Sequence, residues 1–105
     1  MKPIAVVTTV ASEKAARAMA QALVEARLSA CAQISRIESV YAWKGAIEHG
    51  KEYRVLFKTT DESYDAVEHA IRELHSYELP AIHAFAFEHV LPAYAAWIAE
   101  NSRDG

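Results

Sequence analysis

Apolar positions along the chain recur with two periods, one of strands and one of helices. Ile4 to Val10 is β-branched and almost continuously apolar, the pattern of a central strand buried on both faces. Behind it, Ala16, Met19, Ala20, Leu23 and Val24 repeat at intervals of three and four, with Lys14, Arg17, Gln21 and Glu25 opposite. Ser12 supplies a cap in front of them, so the spacing predicts an amphipathic helix reaching about Leu28 and lying across a sheet.

Cys31 to Lys44 reads as a long strand whose alternation slips, because Ile34 and Ile37 have opposite parity. A bulge or bend near Arg36 is the expected remedy. Beyond it Ser39, Tyr41 and Trp43 share a face, and a loop from Lys44-Gly45 to Gly50 turns the chain back as a hairpin. The return strand carries Tyr53, Val55 and Phe57 on one side and Arg54, Leu56 and Lys58 on the other. Asp61, Glu62 and Asp65 put negative charge where a helix begins, and Tyr64, Val67, Ile71 and Leu74 form its apolar stripe. After Pro80, a fourth strand alternates His83, Phe85, Phe87 and His89 with Ile82, Ala84, Ala86 and Glu88. Pro92 opens a final short helix with Tyr94, Trp97 and Ile98 turned inward.

The order strand, helix, strand, strand, helix, strand is that of an α+β, ferredoxin-like βαββαβ sandwich, here with an extra C-terminal helix. Residues 1–105 are expected to form one domain. Both main helices fall on one face of such a sheet. Tyr41, Trp43, Tyr53 and Phe57 then leave an aromatic surface that is expected to be buried against another chain.

Composition narrows the function classes. Eleven basic and fourteen acidic residues are interspersed, giving a formal net charge of -3 and no basic stripe, so nucleic acid is not an expected partner. One cysteine, Cys31, between two alanines, suits a reducing compartment, and the cytoplasm is the expected location. The opening lysine and short apolar run imitate a secretory signal but read better as a strand, and no segment is long enough to span a bilayer as a helix.

Candidate chemistry concentrates between Leu74 and Ile82, where the helical period gives way to the strand period. His75, Tyr77 and Glu78 crowd there ahead of Pro80. His75 suits a borderline metal through a ring nitrogen, and equally suits a cap on the preceding helix, where positive charge faces the last carbonyls. Asp65, His69 and Glu73 share a helical ridge away from the apolar stripe and read as a solvated face. Cys31 reads as an inert buried thiol, and Glu48 and His49 as polar loop residues. His83 and His89 share strand parity but lie about 20 Å apart along a strand, too far to chelate one ion. There is no nucleotide-binding glycine loop, nucleophile elbow or paired-cysteine motif, and no enzymatic activity is expected.

Several stretches also carry a resemblance: Leu23 to Ile34, the run Tyr41-Ala-Trp43-Lys44-Gly45, the pair Lys58-Thr59, Leu74 to Ile82, and Tyr94 with Trp97-Ile98. In that order they resemble the motifs of the CutA family, the divalent-cation tolerance proteins, over nearly the whole chain. The resemblance implies a tight homotrimer, with the long second and third strands packing and pairing across subunits, an architecture shared with PII signalling proteins. It also implies a link to copper and other divalent cations, with His75 as the metal ligand. Tyr41, Trp43, Lys58, Tyr77 and Glu78 are candidate cleft or interface residues. The sequence departs from the family pattern at Ser76, where a proline is common, at Ala81, where a glutamate is common, and at Thr8, where some members carry a cysteine. The leading expectation is a cytoplasmic homotrimer that binds divalent metal, Cu2+ first, and contributes to metal tolerance. The alternative is a PII-like signalling or scaffold trimer that binds a small anion or a partner protein between subunits.

Overall fold

The computed structural model describes residues 2–102 of the chain. Strand β1 (Pro3–Val10) lies inside the sheet, between β3 (Ala46–Thr60) and β4 (Ile82–Ala86), and β2 (Cys31–Trp43) pairs with the far side of β3. All pairings are antiparallel, and the order β2-β3-β1-β4 is ferredoxin-like. The nearly unbroken apolar run of β1 reflects layers on both faces of the sheet. Helices α1 (Glu13–Glu25) and α2 (Tyr64–Leu74) enclose Ile4, Val6, Val10, Val55 and Phe57 with Met19, Leu23, Val67 and Ile71. Across the sheet, α3 (Pro92–Asn101) lies against β1 and β3, with Ile98 fully buried and Ala5 and Val7 also buried.

The expected cap is present: the Ser12 hydroxyl oxygen accepts the Ala15 N–H at 3.1 Å. The helix stops before Leu28, at Glu25. Arg27 takes a left-handed conformation (φ 61°), its N–H donates to the Val24 carbonyl, and the Leu28 N–H donates to the Leu23 carbonyl, the two hydrogen bonds of a Schellman ending. Leu28 still packs on the core from outside the helix, so the apolar spacing outruns the helix itself.

The anticipated bulge near Arg36 is absent. β2 and β3 pair without interruption from Cys31↔Lys58 to Trp43↔Ala46. Ile34 lies opposite Val55 on the helix-covered face, whereas Ile37 lies opposite Glu52 on the other face. Their opposite parity therefore reflects two used faces. The expected loop to Gly50 is also much shorter: Lys44 (φ 50°) and Gly45 (φ 83°) make a two-residue turn with both φ positive, which matches strand twist, and β3 starts at Ala46.

Other boundaries move for local reasons. A 3-10 turn over Asp61–Ser63 precedes α2, and Leu74 ends exposed beside the departing chain. β4 ends at Ala86, the Phe87 N–H meeting the Pro3 carbonyl, so His89 lies beyond the strand. Trp97 is not turned inward; it is 41% exposed and stacks on Tyr94 at 5.6 Å. The four strand aromatics do not share one open face either: Phe57 is fully buried and Tyr53 packs against the core, while Tyr41 and Trp43 lie on the opposite face.

The hairpin outgrows the rest of the sheet. β1 leaves β3 at Val10↔Tyr53, so residues 46–52 pair with β2 alone. Val40, Tyr41 and Ile47 on this projecting ribbon are exposed. Among the described residues, the outer edge of β2 has no strand partner along its whole length.

Candidate functional site

The segment linking α2 to β4 crosses the end of β1 and meets the ribbon where β3 loses its β1 neighbour. α2 ends at Leu74 and is followed by His75, whose backbone is extended (φ -84°, ψ 143°), so the chain peels away from the helix axis. The half-buried His75 ring turns back to β1, with Nε2 2.8 Å from the Thr9 carbonyl oxygen. The Tyr77 N–H donates to Nδ1 at 3.2 Å. An amide N–H only donates, so Nδ1 carries the lone pair and Nε2 the proton, which it gives to Thr9. Both ring nitrogens are therefore engaged within the chain.

Tyr77 continues the cluster. Its ring lies 4.8 Å from that of His75, and its hydroxyl donates to Glu52 Oε2 at 2.6 Å. The other carboxylate oxygen, Oε1, accepts the Ser39 hydroxyl at 2.7 Å. Burial, followed by the hydrogen bond to Glu52 and the charge of that carboxylate, pushes the Tyr77 phenol well above its ordinary range. It stays protonated and donating under physiological conditions. Glu52 thus ties both strands of the ribbon to the junction, and it also lines an open groove of about 330 Å³ with Arg36, Ile37, Glu38, Lys51 and Tyr53.

The remaining candidates are spread out. Glu78 meets Lys44 at 3.6 Å, both side chains well exposed, and the Lys44 ammonium sits 5.5 Å from the Trp43 ring. Tyr41 lies close enough to the Tyr77 phenol to act on it electrostatically. Lys58 is elsewhere, on the packed part of β3, donating to the Tyr94 hydroxyl oxygen at 3.1 Å. Cys31 is half-buried, less enclosed than its alanine neighbours suggest. Asp65, His69 and Glu73 are exposed. Among the described residues, no three His, Cys, Asp or Glu side chains converge as a metal cage. Thr8 is fully buried, its hydroxyl without a hydrogen-bond partner among the described residues.

Glu52 is the residue that sequence reasoning missed. Its partners stand 13 and 25 positions away, at Ser39 and Tyr77, so nothing local marks it. The available signal was its parity: it shares a ribbon face with Tyr41 and Trp43.

The family model described as CutA1 divalent ion tolerance protein matches residues 4–101. The chain belongs to the CutA1 family. The divalent-cation tolerance protein CutA of Thermotoga maritima is 40% identical over 98 residues, covering 93% of this chain and 97% of that one. The CutA of Thermus thermophilus is 37% identical, covering 92% and 95%. Among solved structures, CutA from Synechococcus elongatus PCC7942 superposes with a TM-score of 0.93 at 36% identity, covering 97% of this chain and 91% of that one. The periplasmic divalent cation tolerance protein CutA from Archaeoglobus fulgidus gives 0.93 at 32% identity, covering 96% and 99%. The ferredoxin-like CutA fold thus holds for this chain, and the Thermotoga and Thermus relatives are named as divalent-cation tolerance proteins, not as enzymes.

Proposed function

We propose that this CutA-family protein is one domain over residues 1–105 that assembles as a cytoplasmic homotrimer and binds a divalent cation, copper first, in metal tolerance. Its activity in this reading is binding and not catalysis. The observation that carries the cation assignment is the His75 ring: its Nδ1 lone pair faces the Tyr77 N–H, a donor on a segment outside regular structure. A borderline cation would replace that N–H, since a neutral imidazole nitrogen is a ligand type suited to copper. One nitrogen makes a weak site, so the remaining donors have to come from other copies or from water.

Assembly supports the same reading. A ribbon with open edges and exposed Val40, Tyr41 and Ile47 is what edge pairing and burial by further copies would cover. Tyr41, Trp43, Tyr77 and Glu78 gather where the ribbon meets the junction, and a cleft between copies would form there.

Calorimetry of the metal-free protein with Cu(II) tests the assignment. Saturable binding that is lost in His75→Ala is expected. A dissociation constant weaker than about 1 mM, or one unchanged in that variant, contradicts it.

A second reading, a PII-like trimer that binds a small anion between subunits, is favoured by Lys58. The residue is half-buried, and its ammonium meets a phenol oxygen and, among the described residues, no carboxylate. Mass spectrometry of the purified assembly would separate the readings: a stoichiometric organic anion retained without metal supports the second.

A further inference from the structure

Two lysines of the hairpin have acidic neighbours: Lys51 stands across from Glu38 on the ribbon, and Lys44 meets Glu78 at the turn. Lys58 has an uncharged surround. It lies between Cys31 on β2 and Ala5 on β1, and the same-face positions before and after it on β3 are Leu56 and Thr60. A lysine partly withdrawn from water without a counter-charge carries a free-energy cost that a bound anion would offset.

The hydrogen bonding around it defines what kind of anion fits. An ammonium only donates, so the Tyr94 hydroxyl oxygen accepts from Lys58 at 3.1 Å, and the phenol proton points away from that bond. Among the described residues that proton meets no acceptor, and the Lys58 ammonium makes no second hydrogen bond. An ammonium and a phenol thus stand side by side with protons left to give. A carboxylate matches the pair, with one negative charge and an oxygen for each donor. A phosphate brings more charge and a third strong acceptor oxygen than the pair satisfies.

The same helix supplies an apolar surface beside these donors. Trp97, three residues after Tyr94 on α3, stacks on its ring at 5.6 Å with the planes 12° apart, and remains 41% exposed. A flat ring attached to the carboxylate would gain contact there that an aliphatic body matches less well.

We propose that Lys58 and Tyr94 bind the carboxylate of a small aromatic acid, with Trp97 receiving its ring. This rests on the anion reading of Lys58 and names the ligand class for it. Both donors and the ring surface come from one chain.

The test is a fluorescence titration of the full chain in a Trp43→Phe background, which leaves Trp97 as the reporter, with sodium benzoate as the probe. Saturable quenching with a midpoint below about 10 mM is expected. Benzyl alcohol, the neutral counterpart, and inorganic phosphate should each bind at least about tenfold more weakly. Tyr94→Phe, which keeps the stacked ring and deletes one donor, should weaken benzoate about tenfold, and Lys58→Met should abolish its binding. Benzoate affinity unchanged in Tyr94→Phe overturns the two-donor site, even if Lys58→Met does not fold. Phosphate that binds as tightly as benzoate, and is lost in Lys58→Met, would leave the anion reading of Lys58 standing and overturn the carboxylate assignment. If neither probe binds, both fail.

Discussion

The packed end of the sheet and the projecting ribbon are built from the same two strands, yet they satisfy themselves differently. At the packed end, Val55 and Phe57 of β3 are fully enclosed by β1, α1 and α2, and every strand except the edges has a neighbour on each side. Along residues 46–52 the strand has one neighbour, Ile47 is 66% exposed, and the polar link to the rest of the chain runs through Glu52. The first region is stable because it excludes water. The second is a regular ladder whose apolar side chains and open edge are left for something else to cover, and the candidate site lies where the two regions meet.

That contrast can be broken experimentally. The largest effect is expected from Phe57→Ala, which removes a fully buried ring from the packed end and should destabilise the chain by about 3–5 kcal/mol in denaturant titration. A much smaller loss would mean that the ribbon, and not the core, carries the fold. At the boundary, the Tyr77 phenol is raised above its unfolded value, so the folded chain holds that proton more tightly. Its stabilising contribution is complete below about pH 10 and is lost as pH rises through the raised folded value. The stability of Tyr77→Phe should accordingly fall less steeply above that pH than that of the wild type, measured by denaturant titration across alkaline pH. The smallest effect belongs to the hairpin tip: Lys44→Ala breaks a 3.6 Å pair with Glu78 between well-exposed side chains and should change stability by less than about 0.5 kcal/mol.

The difference between the two regions also decides what could be read from the sequence. Periodicity places β1, α1, β3 and α2 because burial imposes it, and the positions of Leu23, Val55, Val67 and Ile71 confirm the faces it assigns. It misleads where burial has another source. Leu28 packs from beyond the helix end, and Ile37 breaks the alternation because β2 carries apolar side chains on both faces. Pooling the four strand aromatics into one open surface also misplaced Phe57, which belongs to the core beside Val55. At the site, His75 and Tyr77 stand two residues apart and were visible together. Glu52, Ser39 and the Thr9 carbonyl come to them through tertiary contacts, and hydrogen bonds of that range leave no local pattern.

The proposed assembly leaves the packed end complete within one chain and has further copies cover the ribbon and the junction beside it. Light scattering on the purified protein at micromolar concentration tests it most directly. A mass three times the 11.6 kDa of one chain is the predicted result, and a mass equal to a single chain would contradict it.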